Sequence, residues 1–340
     1  MAMVYIQGWE VRPDASSLSR WNVSGTVEPF QSAITFQHPQ GYGGGSTALA
    51  VEAAGYVEAP DVLTGLAGGG QLQSCVYAQT AWVSGGTMLA LIDSNGDDIA
   101  ELRAADASSN TRIAVLHAGA TIDTTAQRLS TAAWHRLTVK YESGTLMTLS
   151  VYVNGALVST SSATRATTNE AVGIRWGGGS GTTLYHDHST AWTSPDEAAL
   201  RETWVQGLRP NGDNVDGGFT RSTGTGDLFP MLEYANDSLY CETTTDPDAL
   251  QVAYENRSAI NPAWDPIVLA VQVQGVGKGH GTLDKAAVTM ELAGSVIAGT
   301  TVQISGAHGM LHSFSGSAPG GGAWVGVDLD NLFAGYRVSS

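Results

Sequence analysis

The chain is short of charge, of lysine and of cysteine, and each shortage narrows what it can be. Charged residues make up 14% of its 340 residues, against about 25% in an average soluble protein. Lysine occurs only as Lys140, Lys278 and Lys285, which argues against charge-laced helical bundles and coiled coils. The two cysteines, Cys75 and Cys241, lie in different halves of the chain, so buried free thiols are expected rather than a disulfide. No stretch reaches the roughly 18 apolar residues of a membrane-spanning helix. The opening MAMVYIQGWEV has neither the basic region nor the long apolar stretch of a secretory signal, so no ordinary export peptide is expected.

Glycine is abundant instead, at 42 residues, well above the usual ~7%. A length of 340 residues suits about two domains, each large enough to bury a core of its own. The net charge of -16 divides unevenly: residues 1–195 hold 15 acids against 9 Lys and Arg, residues 196–340 hold 17 against 7. Both halves repel a phosphate backbone, which excludes sequence-independent nucleic-acid binding.

Short β-branched and aromatic runs alternate with clusters of Gly, Ser, Asn and Asp throughout the first half, and no window there keeps a 3.6-residue apolar period. Strands are expected at Met3 to Gln7, Ala33 to Gln37, Thr47 to Glu52, Gln73 to Val83, Thr87 to Ile92 and Thr111 to His117. The clearest segment is a hairpin, Trp134 to Tyr141 followed by Leu146 to Val153. Leu137, Val139 and Tyr141 alternate with Arg136, Thr138 and Lys140, and period 2 gives one buried and one wet face. Glu142-Ser-Gly144 and Asn154-Gly155 supply the turns. Thr182 to Trp192 is a further strand candidate. The polar, acidic segment 194–203 reads as a linker, with a short helix capped by Ser194. The expected division is a first domain at 1–193 and a second at 204–340. In the second, Pro266 to Gln274 reads as a buried strand, Ala286 to Ala293 and Thr300 to Ser305 as its neighbours, and Val327 to Ala334 as one or two helical turns closed by Gly335.

Several residues invite chemistry. Asp93-Ser-Asn-Gly-Asp-Asp98 has the composition of a hairpin loop. Asp93, Asn95 and Asp97 are also the weak candidates for a calcium site, since hard cations take oxygen ligands from flexible loops. That loop lacks the length and distal glutamate of an EF-hand. His186 and His188, two apart on a strand, share a face but have no third ligand at a diagnostic spacing. A sugar-cleaving site requires two carboxylates flanking the substrate, and no strand carries acids at alternating positions. There is no Gly-x-Ser-x-Gly elbow, and Gly43-Gly-Gly45, Gly68-Gly-Gly70 and Gly177-Gly-Gly179 lack the context of a phosphate cradle. An enzyme is therefore not expected, nor a cofactor. Among the tryptophans, Trp82 and Trp134 are expected in the core, while Trp176, Trp192, Trp264 and Trp324 adjoin loops and are candidates for glycan or protein contact.

The string Trp134-His-x-Leu-x-Val-x-Tyr141, the next strand ending in Val153-Asn-Gly155, and Trp176-Gly-Gly-Gly-Ser-Gly181 before Tyr185 to Asp187 resemble the concanavalin A/laminin-G-like jelly rolls. The second half resembles the C-terminal β module that accompanies such a jelly roll in tailed-bacteriophage virion proteins, on Leu208-Arg-Pro-Asn-Gly-Asp213, Val268-Leu-Ala-Val-Gln-Val273, and the ending from Ala323-Trp-Val through Asp328-Leu-Asp-Asn331 to Gly335. Where such proteins often carry paired aspartates, this chain reads Tyr185-His-Asp-His188. The resemblance implies an all-β protein of two consecutive β-sandwich domains, the first concanavalin/laminin-G-like. It also implies a structural component of the phage particle, made in the host bacterial cytoplasm and assembled on the tail or as capsid decoration. Its partners would be other virion proteins and copies of itself. The alternative is a carbohydrate- or receptor-binding module that meets a host surface glycan.

Overall fold

The computed structural model describes residues 3–7, 12–13, 22–24, 27–36, 46–52, 55–59, 63, 68–165, 169–178, 181–193, 208, 210–232, 234–235, 240–256, 268–279, 282–304 and 308–340. The chain forms two compact units. The first comprises 1–10, 21–36 and 45–205, the second 11–20, 37–44 and 206–340. Arg12–Pro13 pairs in parallel with Tyr234–Ala235, so an early segment joins the later unit.

The first unit is a β-sandwich of two antiparallel sheets. Sheet I runs, in spatial order, Ala156–Thr164, Leu146–Val153, Trp134–Ser143, Gly69–Ala78, Leu184–Trp192, Ser46–Val51 and Val27–Phe36, with Met3–Gln7 alongside Leu184–Trp192. Sheet II runs Ala120–Ser130, Asn110–His117, Asp98–Ala104, Thr87–Ile92, Gly173–Gly177, Tyr56–Ala59 and Asn22–Ser24. The expected hairpin is present in full register, Leu137 opposite Val153, Val139 opposite Val151 and Tyr141 opposite Leu149. All six are buried, each contributing about 1.5–3 kcal/mol by leaving water. The other face of this hairpin is not the wet one its alternation suggests: Thr138 is buried and Arg136 and Lys140 are half-buried. At the hairpin's end Asn154 and Gly155 take φ values of 52° and 84°, the left-handed turn that Asn-Gly favours.

Sheet II supplies Leu89, Leu91, Leu102, Ile113, Val115, Ile174 and Trp176 to the shared core, none with measurable exposure. The Trp176 indole N–H donates across the sandwich to Ser189 Oγ on sheet I, at 2.8 Å, and Ser189 bonds Ser74 at 2.8 Å. Trp82 is buried as expected, but from an isolated bridge to Ser108 rather than a strand. Trp134 is only half-buried, its ring 5.3 Å from Tyr77 beside Ala48, Ala50 and Tyr185. Neither cysteine is in a disulfide, Cys75 being buried and Cys241 half-buried.

The second unit packs a six-stranded sheet against a two-stranded ribbon. The sheet runs Pro210–Val215, Asp248–Tyr254, Phe333–Ser339, Lys285–Leu292 and Ser295–Ala298, with Val302–Gln303 pairing Lys285–Leu292. The ribbon pairs Val271–Lys278 with His308–Ser315. Between them lie Ala286, Val288, Ile304 and Leu311, and beside these Met290, Ala318, Trp324 and Leu332. Three sequence expectations are corrected in this unit. The apolar run from Pro266 starts its strand only at Val271, Leu269 is 46% exposed, and residues 271–275 are half-buried rather than buried, as part of a two-stranded ribbon. Thr300 to Ser305 contributes two strand residues, Val302–Gln303. The helix is confined to Gly326–Asp330, and Gly335 lies inside a strand. A Cβ on Gly335 would sit 1.8 Å from the Leu250 carbonyl oxygen, so close backbone approach, not helix termination, requires glycine there. The linker 194–203 lies outside the described residues.

Candidate functional site

The densest gathering of charge in the first unit lies on the face of sheet II that points away from sheet I. Ile174 and Trp176 face the core, so alternation turns Arg175 outward, and register places it between Glu58 and Ala90, with Glu101 next across. Small Ala90 leaves room for side chains from both flanks to converge. The Arg175 guanidinium donates to Glu58 Oε1 at 2.6 Å and to the Gly96 carbonyl at 2.8 Å, and it also pairs with Asp98. Its carbon centre lies 5.1 Å above the Tyr56 ring, within cation–π range. Arg103 holds Glu101 Oε1 at 2.6 Å, and Thr87 Oγ1 donates to the same oxygen at 2.5 Å.

Sequence reading missed this cluster because a bulge breaks the period. Strict alternation sends Asp98 and Glu101 to opposite faces. The pairing slips between Leu91 opposite Ala100 and Ile92 opposite Asp98, and one extra residue restores both acids to one face. Burial, then the charge of Glu101, pushes the Asp98 carboxyl up to about 6 against the pull of Arg175. The arrangement is a set of carboxyl groups held by two guanidinium groups. Only a direct view of the 97–101 register, not composition, reveals it.

The residues singled out from sequence fall elsewhere. Asp93 is buried, and its Oδ1 accepts from the Asn95 and Asp97 backbone N–H groups at 2.8 and 2.9 Å while Oδ2 accepts from Asn169 Nδ2 at 2.5 Å. Burial opposes its ionisation, yet the Asn169 amide and those two N–H groups outweigh it and hold the carboxyl below its ordinary value. Its oxygens close the hairpin turn between Thr87–Ile92 and Asp98–Ala104, and Asn95 and Asp97 are exposed. Among the described residues no group of three or more His, Cys, Asp or Glu side chains is placed to hold a metal ion.

The tryptophans proposed for surface contact are corrected where they are described. Trp176 has no exposure, Trp192 is 6% and Trp324 is 3% exposed. The Trp324 N–H donates to the Ser315 carbonyl at 3.0 Å, so it is a core residue adjoining a loop, as Trp176 is. Trp264 lies outside the described residues. The His186 and His188 pair does not share a face as alternation predicts. Pairing slips between Asp187 and Thr190, and His188 takes φ 48°. His186 Nε2 donates to the Gly177 carbonyl oxygen at 2.7 Å, so that nitrogen carries the proton. Burial pushes this imidazole down to about 4, which keeps it neutral. Asp187 is fully buried, accepting from the His188 backbone N–H at 2.8 Å.

No protein-family model matches the chain, and no curated protein matches it either. Among solved structures, it is similar to domain 4 of AbnA, a GH43 extracellular arabinanase from Geobacillus stearothermophilus in complex with arabinotriose, at 10% identity and TM-score 0.38 over 58% of this chain and 96% of that one. It is similar to a carbohydrate esterase from the Shiga toxin-encoding bacteriophage phi24B at 12% identity and TM-score 0.37, over 55% of this chain and 99% of that one. It is also similar to the metal-free carbohydrate recognition domain of Emp46p at 7% identity and TM-score 0.39, over 57% and 97%. Likeness at this level assigns no function, and the sandwich architecture stands on the strand pairing itself.

Proposed function

We propose that the protein is a non-catalytic structural component of a tailed-bacteriophage particle, tail-associated or decorating the capsid, which acts by attachment to other virion proteins and to its own copies. The particle assignment is supported by the sequence resemblance of both halves, taken in order along the chain. Attachment rather than turnover is supported by one observation: the cluster on sheet II is closed on itself. Glycoside hydrolysis needs carboxyl groups about 5–5.5 Å or about 6.5–9.5 Å apart with substrate or water between them. Arg175 holds Glu58, Asp98 and the Gly96 carbonyl, and Arg103 and Thr87 hold Glu101, so these acids are engaged within the cluster. Mass spectrometry of purified particles, with antibody labelling under the electron microscope, is expected to find the protein at a fixed stoichiometry on the particle. Its absence from particles overturns the proposal, and polysaccharide cleavage by the purified protein overturns its non-catalytic part.

A second reading, a glycan- or receptor-binding module, is favoured by the half-buried Tyr56 stacked on Arg175, since an aromatic beside fixed polar groups suits a sugar ring. Saturable binding on a glycan array, lost in Tyr56→Ala, selects this reading; a flat array rejects it.

A further inference from the structure

An asparagine followed by glycine is open to spontaneous deamidation, because glycine has no side chain to keep its nitrogen away from the asparagine carboxamide. The chain holds three such pairs, Asn95-Gly96, Asn154-Gly155 and Asn211-Gly212, and the fold treats them differently. Ring closure requires the carboxamide to swing over the next backbone nitrogen, so bonds that hold either group oppose it.

Two of the pairs are tied down. In the turn after Thr87–Ile92 the Gly96 N–H donates to the Asp93 carbonyl at 3.0 Å, and the Asn95 N–H donates to Asp93 Oδ1 at 2.8 Å. At the other hairpin Asn154 Oδ1 accepts from the Arg136 N–H at 2.9 Å, while the Asn154 N–H donates to the Arg136 carbonyl at 2.8 Å. Asn154 is also fixed in the left-handed region at φ 52°.

The third pair lies in Pro210–Val215, at the end of the second unit's sheet. Pairing there passes from Pro210 opposite Tyr254 to Gly212 opposite Ala253. Asn211 is thus the extra residue of a bulge, with no partner across the ladder. It is exposed, and among the described residues nothing hydrogen-bonds its side chain.

We propose that Asn211 is a site of spontaneous deamidation in the folded protein, from which the fold protects Asn95 and Asn154. The Gly212 nitrogen attacks Asn211 Cγ, the new N–Cγ bond closes a succinimide, and Nδ2 leaves as ammonia with the proton that the glycine nitrogen gives up. Water then opens the ring. Cleavage of the N–Cγ bond leaves aspartate; cleavage between that nitrogen and the Asn211 main-chain carbonyl carbon leaves isoaspartate. One water is consumed and one ammonia released, with no oxidant or reductant. Either product adds a negative charge to a half that already holds 17 acids against 7 Lys and Arg. Isoaspartate also lengthens the main chain by one methylene just before Asp213, whose carboxylate fastens the Leu228 and Phe229 N–H groups, so the second unit loosens with age. The inference is independent of the particle assignment and holds for a glycan-binding module equally.

The test is peptide mapping by mass spectrometry of the full chain aged in mildly alkaline buffer. The peptide carrying Asn211 is expected to gain one mass unit and to contain isoaspartate. The peptides carrying Asn95 and Asn154 are expected to react about tenfold more slowly, since their hydrogen bonds must first break. In urea the three rates are expected to converge. Gly212→Ala, whose Cβ meets nothing nearer than the Ala253 Cβ at 4.0 Å, is expected to fold and to suppress the mass gain. An Asn211 peptide that stays intact while either other pair reacts overturns the proposal, as do equal rates in the folded chain. A ranking that persists unchanged in urea overturns protection by the fold. The aged chain is expected to melt lower in the second unit than fresh Asn211→Asp, which has the charge without the extra methylene; equal melting overturns the loosening.

Discussion

The two units use their acids differently. In the first, besides Asp93 and Asp187, which accept from backbone N–H groups, carboxylates answer guanidinium groups: Arg175 with Glu58 and Asp98, Arg103 with Glu101, Arg112 with Asp106 at 2.8 Å. In the second, carboxylates answer the backbone. Asp213 accepts from the Leu228 and Phe229 N–H groups at 2.5 and 2.6 Å, Asp328 from Val325 N–H at 2.9 Å, and Asp248 from Gly218 and Ala249 N–H and from Thr243 Oγ1. A carboxylate that fastens a loop through N–H groups needs no cation beside it. This accounts for part of how the second half carries 17 acids against 7 Lys and Arg and still closes its turns. Counting charges therefore reports on loop architecture as much as on partners.

The largest effect that tests this contrast is expected from Arg175→Ala. Glu58 and Asp98, with side chains 4% and 16% exposed, are left without their shared cation, and breaking a buried pair from one side costs about 3–5 kcal/mol. Chemical denaturation is expected to shift the first unit's transition and leave the second's in place. A shift below about 1 kcal/mol breaks the claim that the cluster holds sheet II together.

Asp248→Ala probes the other mode. The Gly218 N–H and the Thr243 hydroxyl lose their acceptor, at a cost of about 1–3 kcal/mol confined to the second unit's transition. Equal loss in Asp248→Asn identifies charge, not hydrogen-bonding capacity, as the source.

The two modes also oppose each other in pH. Asp98 is held above its ordinary 3.8, at about 6, so the folded state binds its proton more tightly than the unfolded chain. Its contribution is full below 3.8, falls as pH rises from there to about 6, and is constant above. Asp248 is held below 3.8; burial opposes this, but Thr243 and the Gly218 and Ala249 N–H groups prevail. Its contribution is present above 3.8 and is lost as pH falls through the folded value. Asp98→Asn is expected to flatten the first unit's decline between pH 4 and 6 in a melting series, and Asp248→Asn the second's decline below pH 4. Parallel slopes in wild type and Asp98→Asn count against a raised Asp98 carboxyl.

The smallest effect is expected from Ser189→Ala, which removes the acceptor of the Trp176 N–H. About 1 kcal/mol is expected, with the melting midpoint as the readout, and Trp176→Phe, which also opens a cavity and costs more, as the partner for a double-mutant cycle.

Much of the framework was legible in the residues because β structure repeats every second position. The hairpin Trp134 to Val153, the strand near Thr111 to His117 and the Asp93 turn follow from alternation and turn chemistry alone. Legibility failed at one kind of place. Where a strand bulges, parity inverts, and both misread pairs lie beside such slips: Asp98 with Glu101, and His186 with His188. The tryptophans were misplaced for a related reason, since adjacency to a glycine loop says nothing about which way an indole turns.

Composition and period thus determined, without any coordinates, that this chain builds β-sandwiches and where its principal hairpins turn. Tertiary structure alone decided which polar side chains share a face and which indoles are enclosed. Period is a local property, written in every few residues, whereas a one-residue bulge and the pairing of strands about a hundred positions apart are settled only when the whole sheet forms.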